Sequence, residues 1–462
     1  MNNQTFNKMA GITACLSFIL ILAINFSCKK YLEEKSDKKI STPSSITDLE
    51  GLLDNYGALN ARFPSAGEIS SDNYYLKDGD WSNLPERQRN FYLWQKWDDI
   101  GGDWLAPYNN IFYANVILEV LKDLSTDNNA RTKQIEGSAL FIRSYNHFVL
   151  SQLFAVPYDG ATASRDLGIP IRLKSDPNIF PTRVSILETY NSILADAKAA
   201  SGLLSPDLTL KYHPSRQAAY ALISRVYLNM REYEKAELYA DSCLSISNKL
   251  IDYNSLIANS AIPFGQFNDE VIYDARTAPP TALSASKARI DSNLTASYEP
   301  NDLRKTVFFK TNPDGTKSFK GNYTGLSSAA LFSGFATDEM YLTRAECRAR
   351  AGNVLKAMED LNFLLKTRWR IDPKTQKTTY VDQFAANSNE ALKIILLERR
   401  KQLLYRNIRW SDLRRLNKEE RFARSIYRRI NNKIEELLPN SARYTLQIDR
   451  QAVNLSGVIQ NP

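Results

Sequence analysis

The chain has 462 residues, of which 43% are hydrophobic and 11% are aromatic, so it is long and apolar enough for a large core and is not a disordered chain. Its formal net charge is +8, but the 59 basic residues are interspersed with 51 acidic ones. Because these charges largely cancel where they lie, the balance gives little support for nucleic-acid binding.

The N-terminus has the layout of an export signal. A mostly apolar run at 10–24 is shorter than the roughly 20 residues that span a membrane, and the sequence turns polar at Cys28. This order is typical of a bacterial lipoprotein, whose acylated cysteine becomes the new N-terminus. We therefore predict a signal peptide at 1–27, lipidation at Cys28 and a lipidated tether at 28–45. The alternative is ordinary signal cleavage beside an incidental cysteine.

The segment 71–104 is rich in aromatic residues and holds four of the six tryptophans, mixed with aspartate and asparagine. Flat rings can cover the apolar face of a sugar while amides and carboxylates bond its hydroxyls, so this mixture is typical of a site for a neutral polar ligand. The alternative is that Trp94, Trp97 and Trp104, which are close to helical spacing, belong to the core. Trp81 lies in loop-like sequence and is our predicted exposed platform.

Helical periodicity follows this segment. Apolar residues recur at helical spacing over 103–124, and a second helix is predicted at about 132–154, which together make an antiparallel pair. Proline and glycine then interrupt the pattern, and a Pro-Thr-Arg sequence leads into a helix at about 184–200.

Farther along, the basic stretch 399–429 keeps helical apolar periodicity and contains acidic residues. It predicts a solvated, salt-bridged helix face.

Two later segments resemble each other and the tetratricopeptide repeat, in which alanine lets two helix backbones approach closely. The first holds Tyr220, Tyr227, Tyr233, Ala236 and Ala240; the second holds Tyr341, Arg348, Gly352, Ala357 and Leu361. The alternative is two unrelated amphipathic hairpins with alanine at their crossings. Between them, proline and glycine punctuate the stretch 255–335, which is predicted to be loop-rich.

Several motifs together resemble the SusD/RagB-like family. They are Ala139-Leu140-Phe141-Ile142-Arg143-Ser144-Tyr145 with Gln152-Leu153-Phe154, Tyr341-Leu342-Thr343-Arg344-Ala345-Glu346 with Gly352-Asn353, and Leu397-Glu398-Arg399-Arg400 with Arg409-Trp410-Ser411-Asp412-Leu413-Arg414-Arg415. The last motif is interpreted as structural, because Trp410 and the leucines can line a buried surface while Arg399 and Arg409 pair with Glu398 or Asp412 or cap carbonyls.

The resemblance implies a mostly α fold, namely a tetratricopeptide-like helical-repeat scaffold with an irregular loop-rich part that binds ligand. The single domain would span 46–462, with helical repeats at about 103–250 and 336–416 and loop-rich insertions at about 60–102 and 255–335. Ligand contacts in this family come from the non-repeat regions. Here those regions give the predicted ligand-binding residues Asp72, Asn73, Tyr74, Tyr75, Trp81 and Tyr298, and the loop around Tyr323.

The function that the resemblance implies is capture of a nutrient at the outer membrane. The protein would be a lipid-anchored, surface-exposed lipoprotein that binds a glycan or oligosaccharide, or less readily a peptide, and delivers it to a SusC-type TonB-dependent transporter. The alternative is a periplasmic tetratricopeptide scaffold without a small ligand.

Catalysis is not expected from these residues. The sequence has no glycine-rich phosphate loop, zinc motif or nucleophile elbow, and only His147 and His213 could supply imidazole. His147 is predicted to be packed or partly exposed in the second helix, and His213 to lie in a helix-entry loop, neither with a catalytic role. Cys243 and Cys347 are predicted to be small buried hydrophobes without a disulfide. We predict no enzyme activity, no cofactor and no resident metal. Calcium binding at loop aspartates is left open.

Overall fold

The structure is a computed structural model that describes residues 43–124, 128–207 and 209–462. The predicted signal peptide, Cys28 and most of the predicted tether lie outside these ranges. The chain divides into two units, residues 1–48 and 49–462. In the described part of the first unit, the Asp48 carboxylate accepts hydrogen bonds from the backbone N–H groups of Ser44 and Ser45 at 2.9 and 3.0 Å.

The described chain is mostly helical, as predicted. Its helices are α1 Ile46–Leu53, α2 Tyr56–Leu59, α3 Ala66–Ser70, α4 Asp78–Ser82, α5 Glu86–Tyr92, α6 Gly102–Asp123, α7 Ala130–Phe154, α8 Ile186–Leu203, α9 Arg216–Met230, α10 Tyr233–Ile246, α11 Ser292–Ala296, α12 Arg304–Val307, α13 Thr337–Arg350, α14 Val354–Lys366, α15 Ser388–Gln402, α16 Arg409–Leu416 and α17 Arg450–Ser456. None of these helices combines the length and apolar character that a membrane crossing needs.

Strands are short and pair only in twos within the described residues. They are β1 Tyr74–Tyr75, β2 Leu167–Pro170, β3 Arg183–Ser185, β4 Val271–Tyr273, β5 Arg289–Ile290, β6 Phe309–Thr311, β7 Lys317–Phe319, β8 Phe335–Ala336, β9 Ile426–Ile430 and β10 Lys433–Leu437. The antiparallel pairs are β1 with β5, β2 with β3, β4 with β8, β6 with β7 and β9 with β10. The stretch 255–335 therefore contains only short elements joined by loops.

The predicted helix pair is α6 and α7, and side-chain caps explain where α7 and the next helix, α8, begin. The Asn129 side chain accepts from the first turn of α7, where Thr132 completes a capping box. Ser185 and Glu188 form the same arrangement at the start of α8, one turn after the Pro-Thr-Arg sequence. These caps satisfy N–H groups that have no partner inside the helix, so polar residues fix the helix starts.

The tetratricopeptide-like similarity corresponds to two helical hairpins, α9–α10 and α13–α14. Ala236 and Ala357 are fully buried in them, and the Ser224 hydroxyl donates to the Ala236 carbonyl at 2.8 Å, which shows how closely the first two helices approach. Both turns contain a residue in the left-handed region two positions before the second helix, Arg231 with φ 62° and Gly352 with φ 86°. The two hairpins thus share their turn geometry as well as their alanine spacing.

The basic stretch 399–429 differs from its prediction. Much of it is interior rather than a solvated face, because its arginines pair with carboxylates, most of which lie outside the stretch. The buried pairs include Arg399 with Asp412 at 2.8 Å, Arg406 with Asp338 at 2.9 Å, Arg409 with Asp72 at 2.7 Å and Arg415 with Glu346 at 2.6 Å. The predicted ion pair between Arg399 and Asp412 is confirmed. Arg409 forms its ion pair with Asp72 instead of the predicted partners. A buried charge needs such partners, since an unpaired one is costly in a low-dielectric interior.

Candidate ligand-binding site

An open cleft of about 410 Å³, which we call the aromatic cleft, lies where three segments of the chain meet. One wall is α6, the second is the connection from β2 to β3, and the third is α17 with the residues after it. Its lining residues are Trp104, Leu105, Tyr108, Asn109, Phe112, Pro170, Arg172, Pro177, Phe180, Pro181, Gln451, Ala452, Leu455, Ser456 and Val458.

Helical spacing explains the first wall. Trp104, Tyr108 and Phe112 are four residues apart and therefore lie on one face of α6. The Trp104 ring is buried with its centroid 4.9 Å from that of Phe154, while Phe112 is 37% exposed toward the cleft side of the helix. The Tyr108 hydroxyl donates to the Pro170 carbonyl at 2.9 Å, which ties the second wall to this helix. Burial raises the Tyr108 pKa, so the hydroxyl keeps its proton.

The second wall is held by one arginine and one histidine. The Arg172 backbone N–H donates to His147 Nε2 at 3.3 Å, and its guanidinium donates to the Asp176 carbonyl at 2.8 Å. Burial, together with the charge of Arg143, lowers the His147 pKa to about 3, so this imidazole is neutral and can accept. His147 is fully buried, so of the two states predicted for it, packed or partly exposed, the packed one is observed. Phe180, at the far end of this wall, is 50% exposed.

The third wall is fastened by an aspartate at the start of α17. The Asp449 carboxylate caps Gln451 and also accepts from the N–H groups of Ile100 and Gly101 at 3.1 and 2.9 Å. Next to it, Arg450 pairs with Asp98 at 2.6 Å. These bonds place the C-terminal helix beside the start of α6. Gly457, with φ 66°, then ends the helix and lets the chain turn back.

The cleft offers both rings and amides. Phe112, Phe180 and Leu455 expose apolar surface, and Asn109 and Gln451 present exposed amide groups beside them. Apolar clefts of 300–1,000 Å³ with a few polar groups are typical of small-ligand sites. No cluster of three or more histidine, cysteine or acidic side chains in the described part of the chain is arranged to hold a metal ion.

The predicted ligand-binding residues lie elsewhere. Asn73, Tyr74 and Tyr298 are buried: Asn73 donates to Glu68 Oε1 at 3.1 Å, and the two tyrosine hydroxyls donate to the carbonyls of Ile69 and Lys401 at 2.8 Å. Their predicted ligand contacts are corrected, because each side chain already completes an internal hydrogen bond and has no accessible face. Tyr323 is buried in the same way and donates to Glu270.

The Asp72 carboxylate is engaged in ion pairs with arginines. Its carboxylate pairs with Arg409 at 2.7 Å and Arg400 at 3.4 Å and also contacts Arg424, and although burial opposes the charge, these cations hold its pKa well below the usual range. Its role is thus to join the segment 71–75 to the C-terminal motif. Tyr75 and Trp81 are half-buried, and their part in ligand binding stays a prediction.

The other tryptophans are divided between interior and surface. Trp94 is buried and its indole N–H donates to the Ser70 carbonyl at 2.9 Å, whereas Trp97 is half-buried and donates to the Asp99 carbonyl. Trp104 is packed, as the core alternative held, yet its edge lines the aromatic cleft. Of the aromatic segment 71–104, Trp104 therefore lines the cleft. The C-terminal wall at 451–458 carried no recognisable sequence signal.

Two family models match this chain. One, described as starch-binding and associating with the outer membrane, matches residues 30–228, and the other, described as the SusD family, matches residues 335–461. The chain belongs to the SusD/RagB-like family. This SusD-like chain is also 24% identical to a SusD-like protein of Formosa agariphila, over 89% of its own length and 92% of that protein.

Solved structures share the fold of this SusD-like protein. A SusD superfamily protein from Bacteroides thetaiotaomicron is 20% identical with a TM-score of 0.71, covering 90% of this chain and 100% of that one. A SusD-like carbohydrate-binding protein from Bacteroides vulgatus is 19% identical with a TM-score of 0.69, covering 90% and 97%. Surface glycan-binding protein A from Bacteroides fluxus is 16% identical with a TM-score of 0.67, covering 91% and 100%. The predicted tetratricopeptide-like scaffold is confirmed.

Proposed function

We propose that this SusD-like protein binds an oligosaccharide in the aromatic cleft. The observation that carries the proposal is the combination, at one opening, of exposed Phe112 and Phe180 rings with the exposed amides of Asn109 and Gln451. Sugar rings have apolar C–H faces that pack on aromatic rings, and their hydroxyls both donate to and accept from amides. The names of the Bacteroides relatives, which describe carbohydrate and glycan binding, support the same ligand class.

The protein would act by capture and transfer. We propose that lipid on Cys28 holds it at the outer face of the outer membrane, and that it delivers the glycan to a SusC-type TonB-dependent transporter without altering it. The outer-membrane description of the matching family model supports this location. Labelled palmitate should be incorporated by wild type and lost in Cys28→Ala, and protease added to intact cells should cut the protein if it faces outward.

Ligand binding is tested by calorimetry on a panel of neutral oligosaccharides. Removing one stacking ring forfeits about 1 kcal/mol, so Phe112→Ala with Phe180→Ala should weaken the best binder about tenfold or more. Phe384→Ala is the matched control, because Phe384 is 79% exposed and does not line the cleft. It should bind as wild type does.

Several results would contradict the proposal. Unchanged affinity in the double variant would place the ligand elsewhere, and the absence of binding across the panel with release of shortened products would indicate an enzyme. Binding of peptides but not glycans would retain the cleft and change its ligand class. A periplasmic scaffold without a small ligand would bind nothing on the panel and would resist protease on intact cells.

A further inference from the structure

One arginine is the only charged side chain among the residues that line the aromatic cleft. In the described part of the chain, the cleft wall holds Arg172 and otherwise apolar, aromatic, amide and hydroxyl side chains, with no carboxylate. Arg172 is half-buried, so a molecule in the cleft can reach its side chain. A single positive charge beside exposed rings favours one sign of ligand charge over the other.

The backbone at Arg172 is held on both sides by buried side chains. Its N–H donates to His147 Nε2 at 3.3 Å, and its carbonyl accepts from Asn115 Nδ2 at 3.2 Å. The same Asn115 nitrogen donates to the Lys174 carbonyl at 3.1 Å. Asn115 and His147 are 1% and 0% exposed. These bonds reach only the main chain of the β2–β3 connection, so they fix its position whatever side chain position 172 carries.

A largely buried ion pair fixes the orientation of the Asn115 amide. The Arg143 guanidinium donates to Asn115 Oδ1 at 3.0 Å and pairs with Asp196 at 2.7 Å. Because a guanidinium only donates, the amide oxygen faces Arg143, and the amide NH2 group faces the Arg172 and Lys174 carbonyls. The β2–β3 connection is therefore anchored to α6, α7 and α8. A side chain on such a fixed backbone loses less freedom when it binds a ligand.

The Arg172 guanidinium is only partly used inside the protein. Within the described chain it makes one hydrogen bond, from Nη2 to the Asp176 carbonyl at 2.8 Å. The Asp176 carboxylate forms no ion pair with it and instead accepts from the backbone N–H and the side-chain amide of Asn178 at 2.8 and 3.1 Å. An arginine fork has five N–H donors, so most of the donors of Arg172 remain for a ligand.

A second arginine adds to the positive charge beside the cleft. Arg183 donates to the carbonyls of Gly168 at 2.7 Å and Ile459 at 2.9 Å, and it too forms no ion pair with a described carboxylate. Burial is the main influence on the Tyr108 pKa and raises it, while the charges of Arg172 and Arg183 both act in the opposite direction. Since Tyr108 lines the cleft, both charges are close enough to act on a ligand there.

We propose that the aromatic cleft selects glycans that contain an acidic sugar unit, with the carboxylate of that unit on Arg172 and its ring on Phe112 or Phe180. The ligand class rests on the proposed glycan binding in the same cleft and adds the charge of the ligand to it. A carboxylate matches the arginine fork because both groups are planar and can form two parallel hydrogen bonds. A neutral sugar gains no such pair, so the cleft discriminates between the two.

The test compares two acidic oligosaccharides, an oligogalacturonate and an oligomannuronate, with their fully methyl-esterified forms by calorimetry on the whole protein. Each acid and its ester share a skeleton and differ in charge. Wild type should bind at least one acid about fivefold or more tightly than its ester, which is the factor expected of a well-formed ion pair at a partly exposed site. Added salt should weaken binding of the acid and leave binding of the ester nearly unchanged.

Substitutions assign the preference to Arg172. Arg172→Gln should bind acid and ester about equally and bind the ester as wild type does, because the backbone bonds of the connection do not depend on this side chain. Arg172→Lys keeps the charge without the fork and should retain part of the preference. Lys174→Gln is the matched control: Lys174 is exposed, belongs to the same connection and does not line the cleft. It should keep the preference, and thermal unfolding checks that each variant folds.

The outcomes separate this inference from the proposed function. Equal binding of acids and esters by wild type, or a preference that survives Arg172→Gln, overturns the selection of acidic sugars and leaves glycan binding in the cleft standing. A preference that Lys174→Gln removes as fully as Arg172→Gln also overturns it, since the general charge of the connection would then be responsible. If wild type binds neither acid, the selection is again refuted, and the neutral panel with the Phe112→Ala and Phe180→Ala double variant still decides the proposed function.

Discussion

Replacing Glu346 by glutamine should destabilise the protein strongly, because this carboxylate is a buried counter-charge for two arginines. Its oxygens accept from Arg415 at 2.6 and 2.8 Å and from Arg350 at 3.0 Å, and the side chain is fully buried. Burial alone would raise its pKa, but Arg415 and Arg350 lower it from 4.5 to about 2. That shift corresponds to about 3 kcal/mol, and removing one partner of a buried pair generally costs 3–5 kcal/mol. We expect Glu346→Gln to lose about 3–5 kcal/mol at pH 7.

The stability difference between wild type and Glu346→Gln should depend on pH in one direction. A carboxyl whose folded pKa is depressed stabilises fully above its unfolded pKa, and that stability is lost as pH falls through the folded value. The difference between wild type and Glu346→Gln should therefore be constant above about pH 4.5 and shrink toward pH 2. Urea unfolding at a series of pH values measures it. A loss below about 1 kcal/mol at pH 7, or a difference that persists unchanged at pH 2, would refute the assignment of the charge to this network.

Three further predictions concern other parts of the fold. Burial raises the Glu68 pKa from 4.5 to about 7, so wild-type stability should fall as pH rises between those values, and Glu68→Gln should lack that slope in urea unfolding. A Cβ at Gly334 would overlap the Tyr273 carbonyl, so Gly334→Ala should lower the free energy of unfolding by about 3 kcal/mol or more, with a clear drop in Tm. Cys243 is buried and its thiol pKa is raised by burial, so the native protein should not react there with a thiol reagent until it is unfolded.

The helical scaffold could be predicted because its signals are local. Apolar spacing found the helices at 103–124 and 132–154 within about two residues of α6 and α7, since one buried face imposes the helical period on the sequence. The repeated hairpins were recognisable for a similar reason. Small residues are needed wherever two helices touch closely, so Ala236 and Ala357 recur at equal intervals.

The basic stretch 399–429 shows what local sequence cannot give. Its side chains are predicted to be solvated because no nearby pattern marks them as buried. Their partners Asp72, Asp338 and Glu346 lie between about seventy and more than three hundred positions away, and only the folded chain brings them within 3 Å. Tyr298 was misassigned for the same reason, because the carbonyl that its hydroxyl bonds belongs to Lys401.

The aromatic cleft was likewise beyond sequence reasoning. It joins side chains from α6, from the β2–β3 connection and from α17, and no spacing relates these segments to one another. Aromatic content singled out the segment 71–104, but it could not tell an exposed ring from a packed one. That distinction depends on which rings find a partner, as Trp104 does on Phe154.

Glycan binding in the aromatic cleft can be observed directly. The most direct measurement is a crystal structure of the protein with the tightest-binding oligosaccharide from the calorimetric panel. We expect a sugar ring packed on Phe112 or Phe180, with hydroxyls in hydrogen-bond range of Asn109 or Gln451. An ordered sugar bound at another surface, with the cleft unoccupied, would contradict it.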